Sequence, residues 1–136
     1  VSAVRILKRE SLSETESRFT ADLGIQYKFI SERFRSAVNV DTAYKTLSIT
    51  REGHGGAVRN LLNEWKFIAL EDGSTLIDFF IDVRLKAAPL EFLASQKFDK
   101  AASYIMQTFE KRAGEVCERV GDADYDWRGD KAAGLV

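Results

Sequence analysis

The sequence has 136 residues, of which 45% are hydrophobic and 30% charged, with a formal net charge of −1, one cysteine and one histidine. That length suits one domain around one core. Near-neutral charge argues against a DNA partner held by bulk electrostatics, and Cys117 alone can form no internal disulfide, which fits a reducing compartment.

No apolar run is long enough to cross a bilayer, and no secretory signal opens the chain. The chain begins at Val1 rather than Met, which leaves open a targeting segment upstream. The first two-thirds reads as strands. Val4 to Arg9 is a short strand candidate. From Glu14 to Ile25, Phe19, Ala21, Leu23 and Ile25 point one way while Arg18, Thr20 and Asp22 point the other. Gly24 with Gln26 suggests a turn. Lys28 to Val40 alternates again, with Ile30, Phe34, Val38 and Val40 in phase. Asp41, Thr42 and Ala43 form a connection, and Tyr44 to Thr50 is a further strand carrying Leu47 and Ile49.

Arg51 to Arg59 holds Gly53, Gly55 and Gly56 around His54 and reads as a loop. Leu61 to Leu70 is a strand with Trp65, Phe67 and Ala69 in phase. Glu71, Asp72 and Gly73 give a tight hairpin signal. In Leu76 to Lys86, Ile77, Phe79, Ile81, Val83 and Leu85 alternate with Asp78, Phe80, Asp82, Arg84 and Lys86. One apolar and one mostly polar face is the pattern of an antiparallel sheet, and the short links between strands suggest a meander.

Pro89 marks the switch to helix. Ala102, Ile105, Phe109, Ala113, Val116 and Val120 recur at spacings of three and four, which places them on one stripe. A helix from Leu90 to Val120 would be about 45 Å long, with Lys97 to Asp99 as a possible kink, and Gly121 is a natural stop. Residues 122 to 136 are polar and aperiodic, the composition of a mobile tail. The expected architecture is α+β: a curled antiparallel sheet whose apolar face is covered by the one long amphipathic helix.

Several segments resemble a known family. Glu32-Arg33-Phe34-Arg35-Ser36-Ala37-Val38 resembles a strand of the coenzyme Q-binding START-like family, within the polyketide cyclase/dehydrase and lipid transport superfamily. Asn63-Glu64-Trp65-Lys66-Phe67 looks like its Asn-x-Trp-x-Phe strand, and Asp78-Phe79-Phe80-Ile81-Asp82 like the hairpin strand that follows. Phe98-Asp99-Lys100-Ala101-Ala102 and Phe109-Glu110-Lys111-Arg112-Ala113 are similar to its helix signature. The resemblance runs in order from Val4 to Val120. One departure is Gly56-Ala57-Val58, where the family usually has Gly-Pro-Phe.

The resemblance implies a helix-grip fold (START/Bet v 1-like) over residues 1–120, with residues 121–136 as a polar, flexible tail. It also implies that the family's first strand and two short gating helices would precede Val1. The function it implies is binding of a hydrophobic ligand, typically ubiquinone or another polyprenyl lipid, in support of respiration. No cofactor beyond that ligand, no metal and no catalysis are expected. The expected location is the cytoplasm or the periphery of the inner membrane, on the bacterial cytoplasmic face or the mitochondrial matrix side. The family also holds ribosome association toxins, so a ribosomal partner is a second expectation. A polyketide cyclase or dehydratase on the same fold is a third.

The expected cavity lining is Phe19, Leu23, Phe34, Trp65, Phe67, Phe79, Ile81, Phe98, Ile105, Met106 and Phe109; for each, plain core packing is the competing reading. An isoprenoid tail needs few polar contacts, because each buried methylene contributes about 0.8 kcal/mol. A quinone head needs a donor, for which Tyr27, Arg33, Tyr104 and Gln107 are candidates that the sequence does not rank. His54, alone in its loop, reads as a solvated side chain, and Cys117 as a small buried hydrophobe. Asp78 and Asp82 share the polar phase. Glu32 falls in phase with Ile30 and Phe34; it either pairs with Arg33 or Arg35 or points to the cavity, and structural pairing is the reading preferred over catalysis. Arg5, Lys8, Arg9, Arg33, Arg35, Arg51 and Arg59 are scattered among acids and read as solvated surface. A sheet lacking its first strand exposes an edge, which leads to an expectation of dimerisation or aggregation.

Overall fold

The structure, a computed structural model, describes the backbone of residues 3–27, 30–53, 58–85 and 88–135, and the side chains of residues 4–24, 33–53, 58–84 and 102–134. Six strands follow one another: β1 (Ala3–Ser11), β2 (Glu16–Tyr27), β3 (Ile30–Asp41), β4 (Thr46–Glu52), β5 (Val58–Ala69) and β6 (Thr75–Leu85). They form one antiparallel sheet in the order β1-β2-β3-β4-β5-β6. The helix α1 (Ala88–Val116) comes next, then two short 3-10 turns at Trp127–Gly129 and Ala133–Leu135.

Local chemistry sets the turns. Between β1 and β2, Ser13 Oγ accepts from the backbone N–H groups of Thr15 and Glu16. Between β3 and β4, Asp41 Oδ1 accepts from the N–H groups of Ala43 and Tyr44, which closes the bend before Lys45 enters positive φ. This turn includes Tyr44, which the sequence suggested for the strand; β4 starts at Thr46 instead. The β5–β6 hairpin turns at Gly73, whose φ of 87° suits glycine, while Asp72 Oδ1 takes the Ser74 N–H. Gly24 does not turn the chain. It pairs with Ala3 on one side and Arg33 on the other, and β2 continues to Tyr27.

Register defines two faces. Val4, Ile6, Phe19, Ala21, Leu23, Phe34, Ser36, Val38, Val40, Leu47, Ile49, Leu61, Asn63, Trp65, Phe67, Ile77, Phe79, Ile81 and Val83 align across neighbouring strands on one of them. We call it the inner face, because α1 packs on it through Phe109. Bulges at Ile6/Lys8 and Val58/Asn60 sharpen the local twist. In the middle of the sheet the side chains are small: Ala21, Ser36 and Ala37 are almost wholly buried. Ser36 Oγ donates to the Ala21 carbonyl at 3.2 Å. The outer face carries exposed ion pairs such as Arg35–Asp22 at 2.9 Å and Arg18–Glu52 at 3.7 Å, and pairs this exposed contribute little stability.

The helix is continuous through residues 97–99, where a kink was possible. It ends at Val116, short of Val120. The inward stripe is Ala102, Met106, Phe109 and Ala113, all half-buried, with every other residue from Ser103 to Val116 exposed. Ile105, Val116 and Val120, expected on the stripe, are solvent-facing, because spacings of four, three and four select Met106. Cys117 is exposed rather than buried, since no residue after Ala113 on the helix is covered. No described helix is long and apolar enough to cross a membrane.

Residues 121–135 are not aperiodic chain. The Asp130 carboxylate is 4% exposed. It accepts from the Glu71 backbone N–H at 2.9 Å, the Tyr125 hydroxyl at 2.6 Å and the Ala132 N–H at 2.8 Å. The Asp122 N–H donates to Asp72 Oδ2. The segment is thereby tied to the β5–β6 hairpin.

Candidate ligand-binding face

The inner face is built by strict alternation. On β5, Leu61, Asn63, Trp65 and Phe67 stand opposite Val83, Ile81, Phe79 and Ile77 of β6. Across the other edge of β5, Trp65 is opposite Leu47, and Asn63 is opposite Ile49. Two apolar groups result. Towards the β5–β6 turn, the Trp65 ring meets Phe79 edge-on with centroids 4.6 Å apart, and Phe109 of the helix at 5.0 Å. Phe67 lies 6.3 Å from Phe109. Further along, buried Phe34, Val58 and Leu61 form a second group, with Leu23, Ile49, Ile81 and Val83 against it. Asn63 stands between the two groups, flanked by Ile49 and Ile81 on the neighbouring strands.

The face is apolar without being closed. Phe19, Leu23, Leu47, Ile49, Trp65, Phe67, Ile77, Phe79, Ile81 and Val83 are all only half-buried. In a filled core such residues reach near-complete burial. Half-covered aromatic and aliphatic surface along a sheet, capped on one side by a helix, is what a site for a hydrophobic molecule needs.

The polar content of the face is small. Ser36 is spent on the Ala21 carbonyl. Arg51 stands opposite Ser36 and is half-buried, and its guanidinium donates to the Gly53 carbonyl. It was expected on the solvated surface; the strand register carries it to the inner face. Asn63 Oδ1 is buried and has no hydrogen-bond partner among the described residues. No cluster of metal-ligating side chains occurs among the described residues.

Of the residues expected to line a cavity, Phe19, Leu23, Phe34, Trp65, Phe67, Phe79, Ile81, Met106 and Phe109 share this face or the helix stripe facing it. Ile105 lies on the exposed side of the helix. The side chain of Phe98 lies outside the described residues, as do those of Tyr27 and Glu32 and all of His54. Arg33, Tyr104 and Gln107, weighed as head-group donors, are exposed. Asn63, Ile49, Val58 and Leu61 were not assigned to the site. The available signal was Asn63 itself, a lone amide interrupting the apolar alternation between Leu61 and Trp65.

The family model described as polyketide cyclase/dehydrase and lipid transport matches residues 1–110. The chain belongs to this family. Among curated proteins, the ribosome association toxin RatA of Rickettsia prowazekii (strain Madrid E) is 32% identical over 106 residues, 77% of this chain and 72% of the relative. Among solved structures, the solution structure of the 18 kDa protein CC1736 from Caulobacter crescentus aligns with a TM-score of 0.69 at 23% identity, covering 85% of this chain and 75% of that one. That similarity identifies the fold, the START/Bet v 1-like helix-grip, as the sequence suggested. In this chain the sheet and the helix meet at Trp65, Phe79 and Phe109.

Proposed function

We propose that this protein is a carrier that holds a hydrophobic ligand against the inner face of its sheet, beneath α1, and does no chemistry on it. The observation that carries this reading is the half-burial of Trp65, Phe67, Ile77, Phe79, Ile81 and Val83 on β5 and β6 in a family of lipid-transport type. A polyprenyl lipid such as ubiquinone matches such a face, since a long apolar tail gains affinity from buried area without precise polar contacts. A carrier for such a lipid works at the periphery of the inner membrane and serves respiratory electron transport. The proposed contacts are Phe19, Leu23, Phe34, Trp65, Phe67, Phe79, Ile81, Phe98, Met106 and Phe109. Ile105 is left out because it faces solvent.

The test is organic extraction of the purified protein followed by mass spectrometry. A stoichiometric polyprenyl lipid supports the carrier reading. An empty extract that stays empty after incubation with ubiquinone refutes it.

A second reading, ribosome association, is favoured by the 32% identity to a protein named for that property. The outer face does not add to it, because Arg18 and Arg35 are paired with Glu52 and Asp22. Co-sedimentation with isolated ribosomal subunits tests it, and its absence at low salt, where basic contacts to RNA are strongest, counts against it.

A further inference from the structure

The inner face raises a question about the polar end of its ligand. A buried carbonyl oxygen without a hydrogen-bond donor is rare in a folded protein and is costly to keep. Asn63 Oδ1 is such an atom among the described residues. No hydrogen bond from the described residues reaches it: Ile49 and Ile81 stand beside it on β4 and β6, and the donors that share the face, the Trp65 indole N–H and the Arg51 guanidinium, do not bond it. An aliphatic residue would suit this place if packing alone decided it. The amide instead sits where the Phe34–Val58–Leu61 group ends and the Trp65–Phe79–Phe109 group begins.

A carboxamide carries a donor and an acceptor in one plane. Its last torsion is soft and roughly two-fold, so a half-turn directs either atom toward the half-open face at little cost. A hydroxyl is the simplest ligand group that satisfies both atoms, donating to Oδ1 and accepting from Nδ2. A quinone carbonyl or an ether can only accept, and leaves Oδ1 as bare as before.

We propose that Asn63 is the polar anchor of the inner face and that it selects a hydrophobic ligand bearing a hydroxyl, a phenol or quinol-type head, over the same skeleton without one. The proposal rests on the carrier reading. It adds a specificity determinant to it: the hydroxylated form of the ligand binds about tenfold more tightly than the form lacking the donor, which still binds.

The test uses two probes of nearly equal size, para-nonylphenol and its methyl ether para-nonylanisole. Binding to the full chain is followed by the fluorescence of Trp65, with Trp127→Phe removing the other tryptophan. The phenol is expected to bind about tenfold more tightly than the ether, the discrimination that one additional buried hydrogen bond gives. Asn63→Leu places a side chain compatible with Ile49 and Ile81 at this position. It is expected to bring the two affinities together while ether binding is retained, which also shows that the variant is folded. Equal affinities in the parent overturn the anchor and leave the carrier reading standing. A phenol preference that survives in Asn63→Leu also overturns the anchor. Failure of both probes to bind overturns the carrier reading, and the anchor with it.

Discussion

Truncating Phe109 tests how the helix is fastened to the sheet. Its ring lies 5.0 Å from Trp65 and 6.3 Å from Phe67, and it is half-buried. A fully buried Phe→Ala change costs about 3–5 kcal/mol, so half-burial scales this to roughly 2 kcal/mol. Aromatic pairs at these separations add about 0.5–1.5 kcal/mol, which brings the expected loss for Phe109→Ala to about 2.5–3.5 kcal/mol. With a urea slope of about 1–3 kcal/mol per molar for a protein of this size, the unfolding midpoint falls by about 1 M. Urea titration followed by circular dichroism and by tryptophan emission measures this directly. Ile105→Ala is the control, because Ile105 is 36% exposed and off the stripe; it is expected to cost about 0.5 kcal/mol or less. A midpoint for Phe109→Ala within a few tenths molar of the parent, or an equal loss in Ile105→Ala, would refute the assignment of the inward stripe.

Other expectations concern the C-terminal segment and the middle of the sheet. The Tyr125 hydroxyl, by donating to Asp130 and through burial, has its pKa pushed up to about 12. The fold therefore favours the protonated phenol. The stability it contributes is whole below the ordinary tyrosine range near pH 10 and is lost as pH rises through about 12. Ultraviolet titration should show one late-ionising tyrosine that returns to the ordinary range in Asp130→Ala. Asp130 is held below the usual carboxylate range by the Glu71 N–H and then the Tyr125 hydroxyl. Its contribution is present above that range and lost as pH falls through its lowered value, so acid should lower the Tm of the parent more than that of Asp130→Asn. Gly121→Ala forces a side chain into φ of +78° and puts its Cβ 2.6 Å from Asp72 Oδ2; thermal melts should show a loss of about 1–2 kcal/mol. Ser36→Ala removes the bond to the Ala21 carbonyl, and denaturant titration should show a loss of about 1 kcal/mol.

Much of this molecule is readable from its alternation. Ile77, Phe79, Ile81 and Val83 give β6 and its inner face without ambiguity, because a single-sided sheet imposes a period of two. The Asp72-Gly73 turn follows from the need for positive φ. Gly24 misleads because glycine also occurs inside strands where backbones come close, and here it is flanked by paired strands on both sides. Ile105 misleads because spacings of three and four from Ala102 reach both Ile105 and Met106, and only the position of the sheet selects between them. The C-terminal segment was illegible for another reason. Its order comes from Asp130 reaching the Glu71 N–H, fifty-nine residues away in sequence, and no local periodicity reports a contact of that range. Tyr125 and Trp127 in an otherwise polar stretch were the only local hint. In the site, hydrophobic phase located the lining but gave no reason to choose Asn63, whose significance is a buried Oδ1 that accepts no hydrogen bond from the described residues.

The meander has a consequence for how the protein is made. Because every strand pairs with its neighbour in sequence, each hairpin can close as soon as it is synthesised, without waiting for distant chain. The helix follows all six strands. The strands therefore leave the ribosome ahead of the helix, and Trp65, Phe67 and Phe79 emerge before Phe109. On the ribosome this interval is the one in which the nascent protein is most prone to aggregate and most in need of a chaperone. It is also the interval in which an apolar ligand meets the sheet with no helix in the way.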